Sequence, residues 1–432
     1  MKKTLASIFV GIVVLSLAPH VGAIEVELKF EPPDFETAYV LPDIYAPAPD
    51  STFGWWDSVI LFAALSLATW FVFKSRSRRG LFLLSIFSLG FFGFYRNGCI
   101  CPVGSTQNVM AAVFIPDVGV SAIVVSFFVL PLLFSLFFGR VFCASVCPLG
   151  AIQELVAVAP IRISPALERV LGLGKYIYLG LATLGVATGA GFLVCRYDPF
   201  VGIYRMGHSY NMLLAGAAIL ILGVFVARPY CRFLCPYGVL LGWMSYFSKF
   251  HLDIPPSPCV SCRLCEDSCP YNAIDMPTPA SLVDKPEIGK KRIRITLLAS
   301  PLLILAGAVI GYMMYEPLSR MHPTVSLSEQ IALEDRGVMT GENLDTDTFR
   351  TSDITTEQLH LDADAVRETF KTGGAWFGAF IMLIVSLKLV GLSIVKKRDI
   401  FTPRKEACYS CGRCYPYCPV EEEEQEMGSH AA

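Results

Sequence analysis

Two copies of one cysteine pattern constrain this chain more than any other feature of its sequence. Both have the spacing C-x2-C-x2-C-x3-C-P, the first at Cys259, Cys262, Cys265 and Cys269 and the second at Cys408, Cys411, Cys414 and Cys418. In bacterial ferredoxins with this spacing, three cysteines of each run bind one [4Fe–4S] cluster and the fourth binds the other. The pattern predicts one cluster on Cys259, Cys262, Cys265 and Cys418, and a second on Cys408, Cys411, Cys414 and Cys269. Zinc sites use different spacings, which argues against zinc as the occupant. Because iron–sulfur clusters carry electrons, we expect a protein that moves single electrons.

The rest of the chain is unusually apolar. Of its 432 residues, 54% are hydrophobic and only 17% are charged, whereas soluble domains carry about 25% charged residues. Seven apolar stretches are near the length that crosses a bilayer, namely 56–73, 80–96, 119–138, 174–194, 211–228, 294–314 and 374–394. The sequence therefore predicts an all-α polytopic membrane protein with about seven transmembrane helices. The net charge of −2 argues against a nucleic-acid partner.

The two ends of the chain indicate its orientation. Lys2 and Lys3 precede an apolar stretch and the small residues Val21-Gly22-Ala23, which predicts a signal peptide over 1–23; an uncleaved anchor helix is the alternative. Residues 24–55 would form an extended exported segment. Basic loops such as 74–79 and 396–398 alternate with loops poor in Lys and Arg. Because positive loops stay inside, we expect a bacterial inner-membrane protein with an exported N-terminus and a cytoplasmic C-terminus.

This topology divides the chain into units. Residues 56–250 would form a transmembrane core, 251–290 the first cytoplasmic ferredoxin run, and 291–395 a transmembrane hairpin with an acidic exported loop over 315–372. Residues 396–432 would hold the second run and an acidic tail. Both flanks of the hairpin return to the cytoplasm, so the two runs can form one small dicluster ferredoxin-like unit.

Four further cysteines reveal an internal two-fold repeat. Two apolar stretches lead into an Arg followed by C-x3-C-P-x-G, with the cysteines at Cys143, Cys147, Cys231 and Cys235. Two such units related by a pseudo-two-fold axis would bring the four thiols together. Each Pro-x-Gly would then start a helix whose N-terminus faces an anionic group. Three interpretations stay open: a third metal cluster, a redox-active dithiol pair, or buried structural thiols.

Three cysteines fall on the predicted exported side. They are Cys99, Cys101 and Cys195. One interpretation is a metal or cluster site with a fourth ligand from Asp198, His208 or a partner subunit. The other is one disulfide and a free thiol.

Several cofactors and activities are excluded by what the sequence lacks. No histidine lies in a predicted span and no C-x-x-C-H motif occurs, which argues against membrane haem. No dinucleotide-binding or Walker motif occurs either. Lys388 is the notable charge within a span; we expect it to extend towards the cytoplasmic face, with a quinone or anion contact as the alternative. No chemistry at a substrate is evident, which favours a subunit or conduit over a complete enzyme.

The paired C-x3-C-P loops, followed by the two ferredoxin runs, resemble the membrane polyferredoxin family, which includes NapH and the membrane half of NosR. The resemblance covers about 80–275 and 408–419. It implies an electron-transfer subunit of a respiratory complex with other subunits. Electrons would pass between cytoplasmic clusters or the quinone pool and an exported redox partner such as a flavin, haem or metal protein. The alternative function is a maturation factor that reduces metal or thiols of an exported or membrane oxidoreductase.

Overall fold

The computed structural model describes most of the chain after residue 51. The described ranges are 52–98, 102–115, 118–158, 160–205, 210–254, 259–278, 286–338, 344–352, 354–394 and 397–419. The predicted signal peptide, most of the exported N-terminal segment, Cys99, Cys101, His208 and the acidic tail lie outside these ranges.

Helices dominate the described part of the chain. The first half contains α1 (Thr52–Phe73), α2 (Arg78–Ser88), α3 (Pro102–Phe114), α4 (Ala122–Phe138), α5 (Pro148–Val156), α6 (Pro165–Leu171), α7 (Gly174–Ala187), α8 (Leu193–Tyr197), α9 (Pro199–Arg205), α10 (Tyr210–Phe225), α11 (Pro229–Phe233) and α12 (Tyr237–Tyr246). The second half contains α13 (Leu264–Asp267), β1 (Ile274–Asp275), α14 (Pro286–Met313), α15 (Tyr315–Ser319), α16 (Pro323–Asp335), α17 (Leu344–Arg350), α18 (Thr356–Ser393), β2 (Thr402–Pro403) and a 3-10 turn, Tyr415–Tyr417. Two π-helical segments, Leu89–Tyr95 and Phe142–Val146, follow α2 and α4.

The apolar helices support a multi-pass membrane protein. In the described residues, four helical stretches are long and apolar enough to cross a membrane: Gly54–Phe73, Pro165–Ala187, Lys291–Met313 and Thr356–Ser393. A fifth span results if α9 and α10, which are bent by 105°, count as one. The predicted number of seven is not confirmed. The reasons are that α4 has only 17 residues and that α2 changes to π-helix after 11 residues.

The predicted acidic exported loop is largely helical. Helices α15, α16 and α17 and the first turns of α18 occupy most of 315–372. Ile331, Phe349 and Leu359 form a small core among them. The predicted span 374–394 is therefore the second half of a 38-residue helix that begins at Thr356.

Helices α14 and α18 pack closely through facing glycines. Gly307 and Gly311 on α14, and Gly374 and Gly378 on α18, have the G-x3-G spacing. A Cβ atom at Gly311 would overlap the Gly374 carbonyl oxygen, and one at Gly378 would overlap that of Gly307. Small residues allow membrane helices to approach to backbone contact, where van der Waals packing stabilises the pair. The hairpin thereby returns the chain to where it left: Thr278 N donates to Arg398 O at 2.9 Å.

We expect Gly378→Val to separate α14 from α18, because its side chain would collide with the backbone of α14. The expected loss is about 1–3 kcal/mol of unfolding free energy or more, measured as a lower temperature of thermal unfolding in detergent. The control is Gly391→Ala, also on α18, where an added Cβ meets no atom within 4 Å. An equal effect of both substitutions would show that the glycine contact does not stabilise the hairpin.

Candidate iron–sulfur sites

The two ferredoxin runs lie side by side in the structure. Strands β1 and β2 pair antiparallel with Ile274 opposite Pro403 and Asp275 opposite Thr402. Next to this pair, Arg404 N donates to Ala273 O at 2.7 Å. Helix α13 of the first run packs on the 3-10 turn of the second. The runs thus form one small unit, although the whole α14–α18 hairpin separates them in sequence.

Both runs fold into loops of the same shape. Ser261 and Arg263 in the first run, and Ser410 and Gly412 in the second, have positive φ angles of 55°, 66°, 52° and 68°. These residues occupy equivalent positions within the two C-x2-C-x2-C segments. Left-handed residues turn backbone N–H groups towards the inside of a loop and create a concavity for anions. In the second run, Ser410 N donates to Cys408 Sγ at 3.4 Å.

The four cysteines predicted for the second cluster line one small cavity. Its wall contains Cys408, Cys411 and Cys414 from the second run and Cys269 from the first. This is the crossed arrangement that two-cluster ferredoxins use. Because all four donors are thiols, they fit a [4Fe–4S] cluster.

The cysteines predicted for the first cluster are grouped less tightly. Cys265 is buried between Ile254 and Phe401, and Cys259 packs against this group. Cys262 is exposed. Cys418 directly follows the 3-10 turn that contacts α13, so it lies on the correct side of the unit. The ligand role of these four residues stays a prediction.

The four cysteines of the C-x3-C-P loops share one buried core. Cys143, Cys147, Cys231 and Cys235 are each at most 9% exposed and belong to the same hydrophobic cluster. Several sulfurs accept hydrogen bonds: Gln153 Nε2 donates to Cys231 Sγ at 3.3 Å, and Gly238 N to Cys235 Sγ at 3.3 Å. Donors to sulfur are a common means of tuning a cluster.

The arginine that precedes each C-x3-C-P loop contacts the other loop. Arg228, which precedes the second loop, donates to Cys143 O. Its Nη1 atom packs on Gly150 and would lie 3.3 Å from a Cβ atom if that residue had one. Arg140, which precedes the first, lies 3.3 Å from a Cβ built on Gly238. A larger residue at either glycine would displace an arginine, which explains the glycine in C-x3-C-P-x-G. The internal two-fold repeat stays a prediction.

No single-ion site accompanies these cysteine groups. Over the described ranges, no three His, Cys, Asp or Glu side chains converge so as to hold one metal ion. Burial raises the pKa of Cys231 to about 11 and that of Cys408 to about 12. Both are therefore neutral thiols without iron, and cluster binding must displace their protons.

Of the three cysteines predicted to be exported, the structure describes only Cys195. Cys195 is exposed, and its sulfur lies 3.6 Å from a Cβ built on Gly104, shortly after Cys101. Asp198, a predicted fourth ligand, is buried, and its carboxylate accepts from Phe200 N at 2.9 Å and from Tyr230 OH at 3.2 Å. Whether the trio holds metal or a disulfide stays open as predicted.

A buried carboxylate joins the membrane helices to the ferredoxin unit. Glu154 on α5 is 5% exposed and accepts hydrogen bonds from Arg228 at 2.9 Å, from Arg413 at 2.6 Å, from Tyr271 at 2.9 Å and from Arg78. Burial alone would raise the pKa of Glu154, but the guanidinium groups of Arg228, Arg413 and Arg78 hold it well below its usual value. Arg413 and Tyr271 belong to the two ferredoxin runs, so this network docks both of them.

We expect Glu154→Gln to release the ferredoxin unit from the core. Removing one partner of a buried ion network leaves charges unpaired and costs about 3–5 kcal/mol. Hydrogen exchange over 397–419 should become faster, and the temperature of thermal unfolding should fall. Because the folded pKa is depressed, the native contribution is present above the unfolded pKa of about 4 and is lost as pH falls below it.

The matched control is Glu329→Gln on α16, which removes a carboxylate that is 35% exposed and pairs with Arg320 and Arg367. Such a surface pair contributes about 0–1 kcal/mol. If Glu154→Gln were as mild as this control, the network would not hold the unit in place.

A large cavity of about 640 Å³ lies between the membrane helices and the ferredoxin unit. Its walls include Lys175, Tyr176, Trp243, Lys388 and Tyr409. The Lys388 ammonium lies 4.9 Å from the centre of the Tyr176 ring, and that of Lys175 lies 5.5 Å from it. Lys388 therefore turns into this cavity, whose size is typical of small-molecule sites.

Comparison with known proteins agrees with the geometry. A "4Fe-4S binding domain" model matches residues 120–165 and again 209–255, so each C-x3-C-P loop has its own match. A second "4Fe-4S binding domain" model matches 252–275, which contains the first ferredoxin run. The chain resembles the membrane polyferredoxins.

Curated relatives share the same segments. Protein NirI of Paracoccus denitrificans is 33% identical over 32% of this chain and 22% of its own length. The regulatory protein NosR of Pseudomonas aeruginosa is 30% identical over 32% of this chain and 21% of its own length. The putative electron transport protein YccM of Escherichia coli is 27% identical over 46% of this chain and 67% of its own length. The chain thus spans about a fifth of NirI and NosR. No solved structure matches.

Proposed function

We propose that this protein is a membrane-bound iron–sulfur conduit that passes single electrons between its ferredoxin unit and a redox partner across or within the membrane. One observation carries this proposal. Cys231 of a C-x3-C-P loop and Tyr409 of the second ferredoxin run are hydrogen-bonded in one buried core, through Tyr409 OH to Cys231 O at 3.2 Å. The similarity to the "putative electron transport protein YccM" supports the same role.

Three clusters would form the conduit. The proposed ligands are Cys259, Cys262, Cys265 and Cys418 for the first, Cys408, Cys411, Cys414 and Cys269 for the second, and Cys143, Cys147, Cys231 and Cys235 for the third. Each cluster would accept and release one electron when bound. The surrounding side chains exclude water and hold the sites at fixed separation: the Tyr271 and Tyr409 rings, 4.8 Å apart, pack where the two kinds of loop meet.

The seven-span topology with an exported N-terminus and a cytoplasmic C-terminus is part of this proposal, together with the domain boundaries given above. In that arrangement the ferredoxin unit lies on the cytoplasmic side. The exported partner would approach from the side of Cys195. Tyr204 and Tyr230 support a route between the two sides, because Tyr204 OH donates to Pro148 O at 2.9 Å and Tyr230 OH donates to Asp198.

Iron content tests the proposal directly. Anaerobically purified protein should contain about twelve iron atoms and an equal amount of acid-labile sulfide, four per cluster. Cys143→Ser should remove about four of them and one set of EPR signals, because it removes a thiolate ligand. Cys195→Ser is the comparison: unchanged iron would leave the exported trio without a cluster. About eight iron atoms in the native protein, unchanged in Cys143→Ser, would contradict the third cluster.

The quinone pool is the proposed membrane donor or acceptor, and the 640 Å³ cavity is its proposed site. The aromatic wall formed by Tyr176 and Trp243 suits a flat ring, and the ammonium groups of Lys175 and Lys388 suit its oxygens. Tyr409, which contacts both kinds of cysteine loop, lines the same cavity. A quinone ring there would lie close to the clusters.

We expect Lys388→Met to slow reduction of the clusters by a short-chain quinol about tenfold or more, since a hydrogen bond from a charged donor is worth about 1.5–3 kcal/mol. Reduction by dithionite should be unchanged, because it bypasses the cavity. Lys397→Met, whose side chain is 72% exposed, is the control and should behave like the native protein. Equal rates with quinol in all three proteins would exclude this cavity as the quinone site.

A further inference from the structure

Arg140 is a buried cation without a carboxylate partner. It is 2% exposed, and in the described part of the chain no carboxylate oxygen lies within 4.0 Å of its guanidinium. Its Nε makes no hydrogen bond. The other buried arginines of the core differ: Arg228 pairs with Glu154 at 2.9 Å, and Arg232 pairs with Glu168 at 2.9 Å.

A buried charge is tolerated in proteins when an opposite charge or a set of hydrogen bonds offsets its desolvation. Arg140 has few such bonds. Nη2 lies 3.8 Å from Cys143 Sγ, and Nη1 donates to Glu406 O at 3.4 Å. The anion that this guanidinium needs must therefore come from the groups around it. Those groups are the thiols of Cys143, Cys231 and Cys235 in the C-x3-C-P loops; the neutral Tyr409, whose hydroxyl donates to Cys231 O, offers only the face of its ring.

The same guanidinium also faces the second ferredoxin site. It lies over the Tyr409 ring at 4.4 Å from the ring centre. Tyr409 lines the cavity formed by Cys269, Cys408, Cys411 and Cys414. Arg140 is thus close to both groups of four cysteines: it lies 3.8 Å from a thiol of one group and packs on a tyrosine that lines the cavity of the other.

We propose that Arg140 is the shared counter-ion of two cluster sites, the one on the C-x3-C-P loops and the one on Cys408, Cys411, Cys414 and Cys269, and that it raises the reduction potential of the cluster at each. This rests on the proposed function, which places clusters there. A thiolate-bound cluster becomes more negative on reduction, so a fixed positive charge nearby stabilises the reduced form more than the oxidised form. Since both sites face one charge, removing it lowers both potentials and leaves the site on Cys259, Cys262 and Cys265 least affected.

The test is a redox titration followed by EPR on full-length protein in detergent, with iron content measured on the same samples. Arg140→Gln is expected to shift the midpoint potentials of the two buried clusters to more negative values at native iron content. Arg140→Lys, which keeps the charge, should shift them less. Arg162→Gln is the control, since that arginine is 40% exposed and pairs with Asp267 of the first run; its potentials should be native.

Two further variants keep the outcome decisive. Gly238→Ala pushes the Arg140 guanidinium away without removing its charge and should shift potentials in the same direction by less. A repeat in the Cys143→Ser background isolates the site on Cys408. If Cys143→Ser changes no iron content, the third cluster of the proposed function fails, yet the shift at the Cys408 site still tests Arg140.

Unchanged potentials in Arg140→Gln at full iron content would overturn the inference. So would equal shifts in Arg140→Gln and Arg140→Lys, which would show that shape rather than charge matters. If Arg140→Gln loses iron, Arg140→Lys must retain iron and near-native potentials. Iron loss in both variants would mean that Arg140 only supports the fold.

Discussion

The buried carboxylate of Glu154 is the interaction on which the arrangement of the sites depends. It accepts from arginines that come from three separate parts of the chain: Arg78 at the start of α2, Arg228 before the second C-x3-C-P loop and Arg413 in the second ferredoxin run. Tyr271 adds the first ferredoxin run. One residue of α5 therefore connects the membrane core to both runs.

Around Glu154 and Arg140, guanidinium groups outnumber carboxylates among the described residues. Three guanidinium groups surround the single carboxylate of Glu154, and Arg140 nearby has no carboxylate in the described residues. In low-dielectric surroundings such an excess of positive charge is unfavourable unless anions balance it. Thiolate-ligated clusters would supply them. Cluster insertion and folding of this region should therefore be coupled, as they are in other metal-binding domains.

The geometry also bears on how an electron could cross about 30 Å of hydrocarbon. The segment after Cys195 does not stay at a distance from the C-x3-C-P loops. The Phe200 and Tyr230 rings meet at 5.2 Å, and Tyr204 reaches the carbonyl of Pro148 at 2.9 Å. These contacts connect the predicted exported side to the residues next to Cys147 and Cys231 through buried aromatic side chains.

By itself, the sequence determined the local chemistry of this protein. Thiol spacing depends on short stretches of chain, so the two ferredoxin runs, the two C-x3-C-P loops and the apolar helices could all be predicted, and the flanks of the α14–α18 hairpin were correctly expected to meet. Only the tertiary structure decided what depends on residues far apart in sequence. The number of spans is one such property, because the short α4 and the π-helical end of α2 depend on packing. The others are the network around Glu154, the contacts of Arg140 and Arg228 with the opposite C-x3-C-P loops, and the position of Tyr409 between Cys231 and the second ferredoxin site. The partner of a single Glu, Arg or Tyr cannot be read from sequence spacing, because it depends on which groups the fold buries together and on the need to balance charge there.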